Sequence, residues 1–274
     1  MFDVILVATD GSSTAMRAEE RAAMLARRHG AALHAVYAYG PAKTSGGPFA
    51  EPGVSPGEVG RGALAGLQRR YDDLGVQTHL VEGKVIDAIA EIARTSSADL
   101  VVVGNVGLGS RVARARGSVP FGLAHHAPTD VLIVHTSDAV HRERADHGES
   151  LTPYQRVVVG VDGSNTALEA LRRAGGVAAG DGAEVVIVNA GGDEAVLSRA
   201  AEVAAEVGVS APRSRGDDGA PADVLLRVAT DESADLLVVG NVGMKERAAF
   251  DRSVPNKVTL AAACDLLLVR TASD

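Results

Sequence analysis

A chain of 274 residues has room for two domains of ordinary size, and 46% hydrophobic residues with only 3% aromatics and no Trp require a core built from Val, Ala, Leu and Ile. The formal net charge of -8 leaves no basic field for a phosphate backbone, which argues against nucleic acid as the partner. A single cysteine, Cys264, excludes an intrachain disulfide and a cysteine-based metal site. No apolar run reaches the roughly 18 to 20 residues that span a bilayer, and the first ten residues enter a strand with no basic leader, so a soluble cytoplasmic protein without membrane partners is expected.

The apolar run from Val4 ends in Thr9-Asp10-Gly11-Ser12, which predicts a strand over 3–9 and a helix over 13–29 capped by Ser12 or Ser13. A strand over 32–38 leads into 40–60, where Pro and Gly forbid regular structure; this segment is either a tolerated insertion or a lid over a ligand. Helices over 58–73, 84–95 and 118–126 then alternate with strands over 76–81, 99–103 and 130–134. After a polar linker the pattern restarts, with strands near 156–161, 183–189, 208–212, 235–239 and 265–269.

The restart is a repeat. Val157 to Ser164 echoes Val4 to Ser12, and Ala234 to Gly243 echoes Ala98 to Gly107 almost letter for letter. The offset is 152 residues at Asp10 and Asp162 but 136 at Gly104 and Gly240, so the extra residues of the first copy fall in 40–60. The predicted architecture is α/β: a first domain over 1–136, a linker over 137–154 and a second domain over 155–274. Each domain is a flavodoxin-like five-stranded parallel sheet of order 3-2-1-4-5 with helices on both faces, giving two sheets. In that order the loops after strands one and four flank the ligand crevice, and these are the loops that recur best.

After strand four, Gly104-Asn105-Val106-Gly107 is followed by nine residues and then Gly117-Ser118-Val119. Glycines at this spacing let backbone N–H groups approach an anion at a helix start, or merely permit a strand-to-helix turn. Asp10 is placed to accept ribose hydroxyls or to hold a metal through water, and an Asx turn at Asp10-Gly11 is compatible with either role. The second copy keeps Gly240 and Gly243, but its spacer is one residue short and Arg252 stands where Gly117 does, before Ser253 and Val254. That side chain either obstructs the backbone approach or grips a phosphate itself.

The combined pattern resembles the ATP-binding branch of the universal stress protein family, whose fold is of the adenine-nucleotide alpha-hydrolase type, over nearly the whole chain as two tandem domains. The resemblance implies a regulator in stress response that binds ATP or another adenine nucleotide with Mg, rather than an enzyme, with at most weak incidental hydrolysis. It implies that Asp10 lies at the ribose and the phosphate-metal side, Val36 near the adenine, and Gly104, Gly107, Gly117, Ser118 and Val119 around ribose and phosphates, with Thr9 and Val103 completing the set. Asp162, Gly240, Gly243, Arg252, Ser253 and Val254 form a weaker or empty second site. A nucleotide-free interaction scaffold and a nucleotide-transfer enzyme or slow ATPase are the alternatives. The resemblance also implies an internal pseudo-dimer, Val131 to Val134 running antiparallel to Leu266 to Val269; a homodimer of whole chains and the protein partner stay open.

Other chemistry is sparse. His125 and His126 are adjacent on a helix and point about 100° apart, poor geometry for one metal. His141 and His147 sit in the linker, and Arg111, Arg114 and Arg116 in the spacer are either phosphate contacts or a solvated strip. Cys264 is expected to be an inert buried thiol.

Overall fold

The computed structural model describes residues 1–40, 55–106, 119–136, 151–242 and 253–271. The first half runs β1 (Val4–Ala8), α1 (Ser13–His29), β2 (Ala32–Tyr39), α2 (Pro56–Arg70), a short 3-10 turn, β3 (Gln77–Glu82), α3 (Val85–Thr95), β4 (Leu100–Val106), α4 (Val119–His126) and β5 (Asp130–Thr136). The second runs β6 (Arg156–Gly160), α5 (Asn165–Asp181), β7 (Glu184–Ala190), α6 (Glu194–Glu206), β8 (Arg213–Asp217), α7 (Pro221–Asp231), β9 (Leu236–Asn241), α8 (Val254–Ala261) and β10 (Asp265–Arg270).

Local chemistry sets these bounds. Ser12 and Ser164 cap α1 and α5 by accepting from Ala15 N and Ala167 N, and both helices stop at a left-handed glycine, Gly30 at φ 66° and Gly182 at φ 70°. Ser55 and Glu58 form a capping box that opens α2. Within the strands, successive residues bury on opposite faces. Ile5, Val7, Leu100 and Val102 lie under α1 and α2, while Leu6, Val101 and Val103 lie under α3 and α4.

The expectation of two sheets needs correction. The strands form one ten-stranded sheet of order β3-β2-β1-β4-β5-β10-β9-β6-β7-β8. All pairs are parallel except the central one, where Leu266, Leu267 and Leu268 face Ile133, Leu132 and Val131 antiparallel. Each apolar layer therefore continues across both halves, and the halves are related by a pseudo-twofold at this seam. A second correction concerns β8, which occupies 213–217 rather than 208–212. Gly208 at φ 82° and Ala211 at φ 56° break an extended run there, and Pro212 has no N–H for a ladder. The strand that forms instead is a charged edge whose Arg213 and Arg215 pair with Glu184, Glu232, Asp217 and Asp231.

Two ion pairs, one buried and one with a half-buried arginine, close the seam on the α1 and α5 face. Asp265 faces Arg21 Nε at 3.2 Å and accepts from the His135 N–H and the Tyr154 hydroxyl, both at 2.8 Å. Its counterpart Asp130 faces Arg173 Nε at 2.9 Å and accepts from the Arg270 N–H at 2.8 Å. Arg21 lies over the Tyr154 ring and Arg173 over the Phe2 ring. Tyr154, assigned to the linker on sequence, is 1% exposed and belongs to this core.

Candidate functional site

In each half the chain reverses direction beside its first strand, so the loops after β1 and β4, and after β6 and β9, bound a crevice at the C-terminal edge of the strands. Since β5 and β10 are antiparallel, the two crevices open at opposite ends of the sheet.

The first crevice is built around the end of β1. Thr9 N–H donates to Val36 O at 3.0 Å, extending the ladder by one residue. The Thr9 hydroxyl is buried, donating to Glu19 Oε1 at 2.6 Å and accepting from the Gly11 N–H at 3.1 Å. Asp10 is exposed, and its Oδ1 accepts from the Ser12 N–H at 3.0 Å, an Asx turn that requires Gly11 at φ 77°. A carboxylate has acceptor sites beyond this one bond, so the turn leaves Asp10 able to meet a ligand. Val36 and Val103 are buried in the layer between the sheet and α3 and α4.

Gly104 and Gly240 each have a packing reason to lack a side chain. Neither has a positive φ. A Cβ on Gly104 would sit 2.6 Å from the Thr14 carbonyl oxygen, and one on Gly240 would sit 2.8 Å from that of Thr166. The first turns of α1 and α5 therefore lie directly on the ends of β4 and β9, bringing capped helix starts into the crevices. Val119 opens α4, and Ser253 caps α8 by accepting from Asn256 N at 3.3 Å, with Val254 at the first helical position. Gly107, Gly117, Ser118, Gly243 and Arg252 lie outside the described residues, as do Arg111, Arg114, Arg116, His141 and His147.

The second crevice encloses a cavity of about 160 Å³ lined by Val161, Asp162, Val188, Asn189, Leu225, Gly240 and Val254. Some of its polar groups also bond within the protein. Asp162 Oδ1 accepts from Ser164 N and Oγ, Asn189 bridges Val161 O and Asp193 N, and the Thr166 hydroxyl pairs with that of Thr271 at 2.8 Å.

Sequence reasoning missed Glu19. It is 3% exposed on the buried stripe of α1, clamped by Thr9 and by Arg70 Nη1 at 2.6 Å, and burial raises its pKa against both partners. The repeat carried the signal, because Val161 and Leu171 occupy the positions of Thr9 and Glu19 in the second half. His125 and His126 end α4, and among the described residues no group of three or more His, Cys, Asp or Glu is arranged to hold a metal. Cys264 is half-buried rather than buried, and desolvation pushes its thiol up to about 12, which keeps it protonated at neutral pH.

This architecture defines a tandem doubly wound α/β protein with a crevice at each switch point. The universal stress protein family model matches residues 1–135, 153–207 and 190–270, and the chain belongs to that family. A universal stress protein of Mycobacterium tuberculosis is 34% identical over 148 residues, which are 50% of this chain and 98% of that one. The crystal structure of a universal stress protein from Archaeoglobus fulgidus covers 99% of this chain and 97% of its own at 17% identity and TM-score 0.74, a likeness of fold along the full tandem. A universal stress protein crystallised with cAMP is 40% identical, covering 44% of this chain and all of its own, with TM-score 0.42. Among the described residues no helix is long and apolar enough to cross a membrane.

Proposed function

We propose that this chain is a cytoplasmic stress regulator that binds ATP, or another adenine nucleotide, in the crevice of its first domain, residues 1–136. The observation that carries the reading is the Asp10-Gly11-Ser12 turn at the end of β1, set against Gly104 and the capped start of α1. It lies in the half whose sequence keeps Gly104, Gly107, Gly117 and Ser118 in family spacing. Helix starts and bare amides favour phosphate oxygens, while a strand-end carboxylate suits ribose hydroxyls.

The residues present fit Mg that arrives with the phosphates. Asp10 supplies one exposed carboxylate, enough to hold the ion through water and too little for a resident metal site. When bound, Mg would offset phosphate charge. Catalysis is not part of the proposal, since the raised-pKa carboxyl nearest the crevice, Glu19, is held by Thr9 and Arg70 and is not placed to activate water. The second domain, 155–274, is the weaker site, and the β5 and β10 edges that would pair two chains already pair within one.

Calorimetry on the full chain with ATP, AMP and cAMP, with and without Mg, tests the reading. Heat from one adenylate per chain is expected, with affinity falling at least about tenfold in Gly117→Arg, which copies Arg252 into the first site. No heat from any adenylate overturns the nucleotide reading and favours an interaction scaffold.

A further inference from the structure

The Asp-Gly-Ser turn occurs in both halves, and each half holds it differently. In the second, Asp162 Oδ1 accepts from the Ser164 N–H at 3.0 Å and from the Ser164 hydroxyl at 2.6 Å, so the carboxylate is bound up in its own turn. In the first, the Ser12 hydroxyl pairs with that of Thr14 at 2.9 Å, and among the described residues Asp10 Oδ1 accepts from the Ser12 N–H alone.

The first half ties the turn down from beneath instead. Thr9 Oγ1 accepts from the Gly11 N–H at 3.1 Å, inside the turn, and donates to Glu19 Oε1 at 2.6 Å. A hydroxyl has one proton and a carboxylate only acceptors, so Glu19 takes that proton and turns the Thr9 lone pairs toward Gly11. Arg70 Nη1, from α2, lies 2.6 Å from Glu19 Oε2, which favours the ionised carboxyl and fixes its orientation. The second half carries Val161 and Leu171 at these positions and makes the turn nonetheless. Bending the chain is therefore not what Glu19 adds. The difference is that Asp10 keeps acceptor sites for a ligand while its turn is held by buried groups.

We infer that Glu19 is a positioning residue for Asp10: by orienting the Thr9 hydroxyl against Gly11 it fixes the Asp10 carboxylate where it accepts from the 2′- and 3′-hydroxyls of a nucleotide's ribose. The inference rests on the nucleotide reading above. Glu19 is buried and meets no ligand itself. A carboxylate held to receive hydroxyl protons rejects the sugar that lacks them, so the first crevice selects ribose.

Thr9→Val and Glu19→Leu copy Val161 and Leu171 into the first half. Arg70, 44% exposed, can turn to water when Glu19 is removed, and Thr9→Val, which keeps the shape of the side chain, decides on its own should Glu19→Leu fail to fold. Calorimetry on the full chain compares Mg-ATP with Mg-2′,3′-dideoxy-ATP, which carry the same base and phosphates. In the unaltered chain ATP should bind more tightly. Each single variant should lower ATP affinity by about three- to tenfold and leave dideoxy-ATP unchanged, and the double variant should lose no more than either one. Equal losses for the two nucleotides mark general loosening and overturn the inference, as does unchanged ATP affinity in the single variants. Additive losses in the double variant overturn it too, since Glu19 would then act by another route than Thr9. Should the unaltered chain bind neither nucleotide, the nucleotide reading falls and takes the inference with it; should it bind both equally, the reading stands and the inference alone falls.

Discussion

The two ion pairs at the seam have the same charges and differ by one hydroxyl. Each oxygen of Asp265 accepts a hydrogen bond, one from the His135 N–H and one from Tyr154. Asp130 receives the matching backbone bond from Arg270, but Phe2 stands where the repeat puts Tyr154, and among the described residues Asp130 Oδ2 has no hydrogen bond beyond its ion-pair contact with Arg173. Burial pushes the Asp130 carboxyl up to about 6, with Arg173 and the Arg270 N–H pulling the other way. The pseudo-twofold is thus close in shape and differs in the hydrogen bonds that its two carboxylates receive. At Asp130 the desolvation by burial outweighs the attraction of one arginine and one backbone N–H.

Removing each aspartate should break the comparison most visibly. In Asp265→Ala the Arg21 side chain, only 6% exposed, keeps its charge with no way to reach water, and the expected loss is about 3–5 kcal/mol. Asp130→Ala should cost less, because Arg173 is 26% exposed and can turn outward. Urea unfolding of the two variants measures the difference. Equal losses would mean that solvent access to the arginine does not control the pair.

The next effect is pH dependence. A carboxyl whose pKa is raised on folding binds its proton more tightly in the native state, so its contribution to stability is most favourable below the unfolded value near 4. Stability from this group falls as pH rises through about 6, by up to about 3 kcal/mol. Arg173, Glu169 and Asp99 are the charged side chains that bear on it. Asn in place of Asp130 should flatten the difference in unfolding free energy between pH 4 and pH 7. An unchanged slope in Asp130→Asn would assign the pH dependence elsewhere.

How far the sequence could be read follows from the same physics. Strands buried on both faces, such as Val4–Ala8 and Leu236–Asn241, announce themselves as apolar runs between turn signals, and the Asp-Gly-Ser turns repeat with their caps. β8 was hidden because its charges are balanced by ion pairs with Glu184 and Glu232, which no periodicity reports. Gly104 was legible as a required glycine but not for its cause, since the obstructing Thr14 carbonyl is 90 residues away in the chain. Glu19 was illegible for a related reason. A buried polar residue declares its role only through its partner, and Arg70 is brought to it by tertiary structure.

The smallest expected effect sharpens the comparison most. Phe2→Tyr places a hydroxyl where the pseudo-twofold puts that of Tyr154, giving Asp130 the bond it lacks. Phe2 is 1% exposed, so the new group has no solvent to fall back on, and a hydroxyl that missed Asp130 would cost about 1–3 kcal/mol. One that reaches it should add about 1 kcal/mol at neutral pH and bring the carboxyl down from about 6. The Arg173 guanidinium carbon lies 5.5 Å from the Phe2 ring centroid against 4.1 Å for Arg21 over Tyr154, so this contact is the looser of the two and the gain should stay at the low end. Carbon-detected titration of Asp130 in Phe2→Tyr separates the outcomes. A lowered midpoint with raised stability makes the missing hydroxyl the origin of the asymmetry, whereas an unmoved midpoint with lost stability shows that the offset of the ring, and not its chemistry, keeps the two ends of the seam apart.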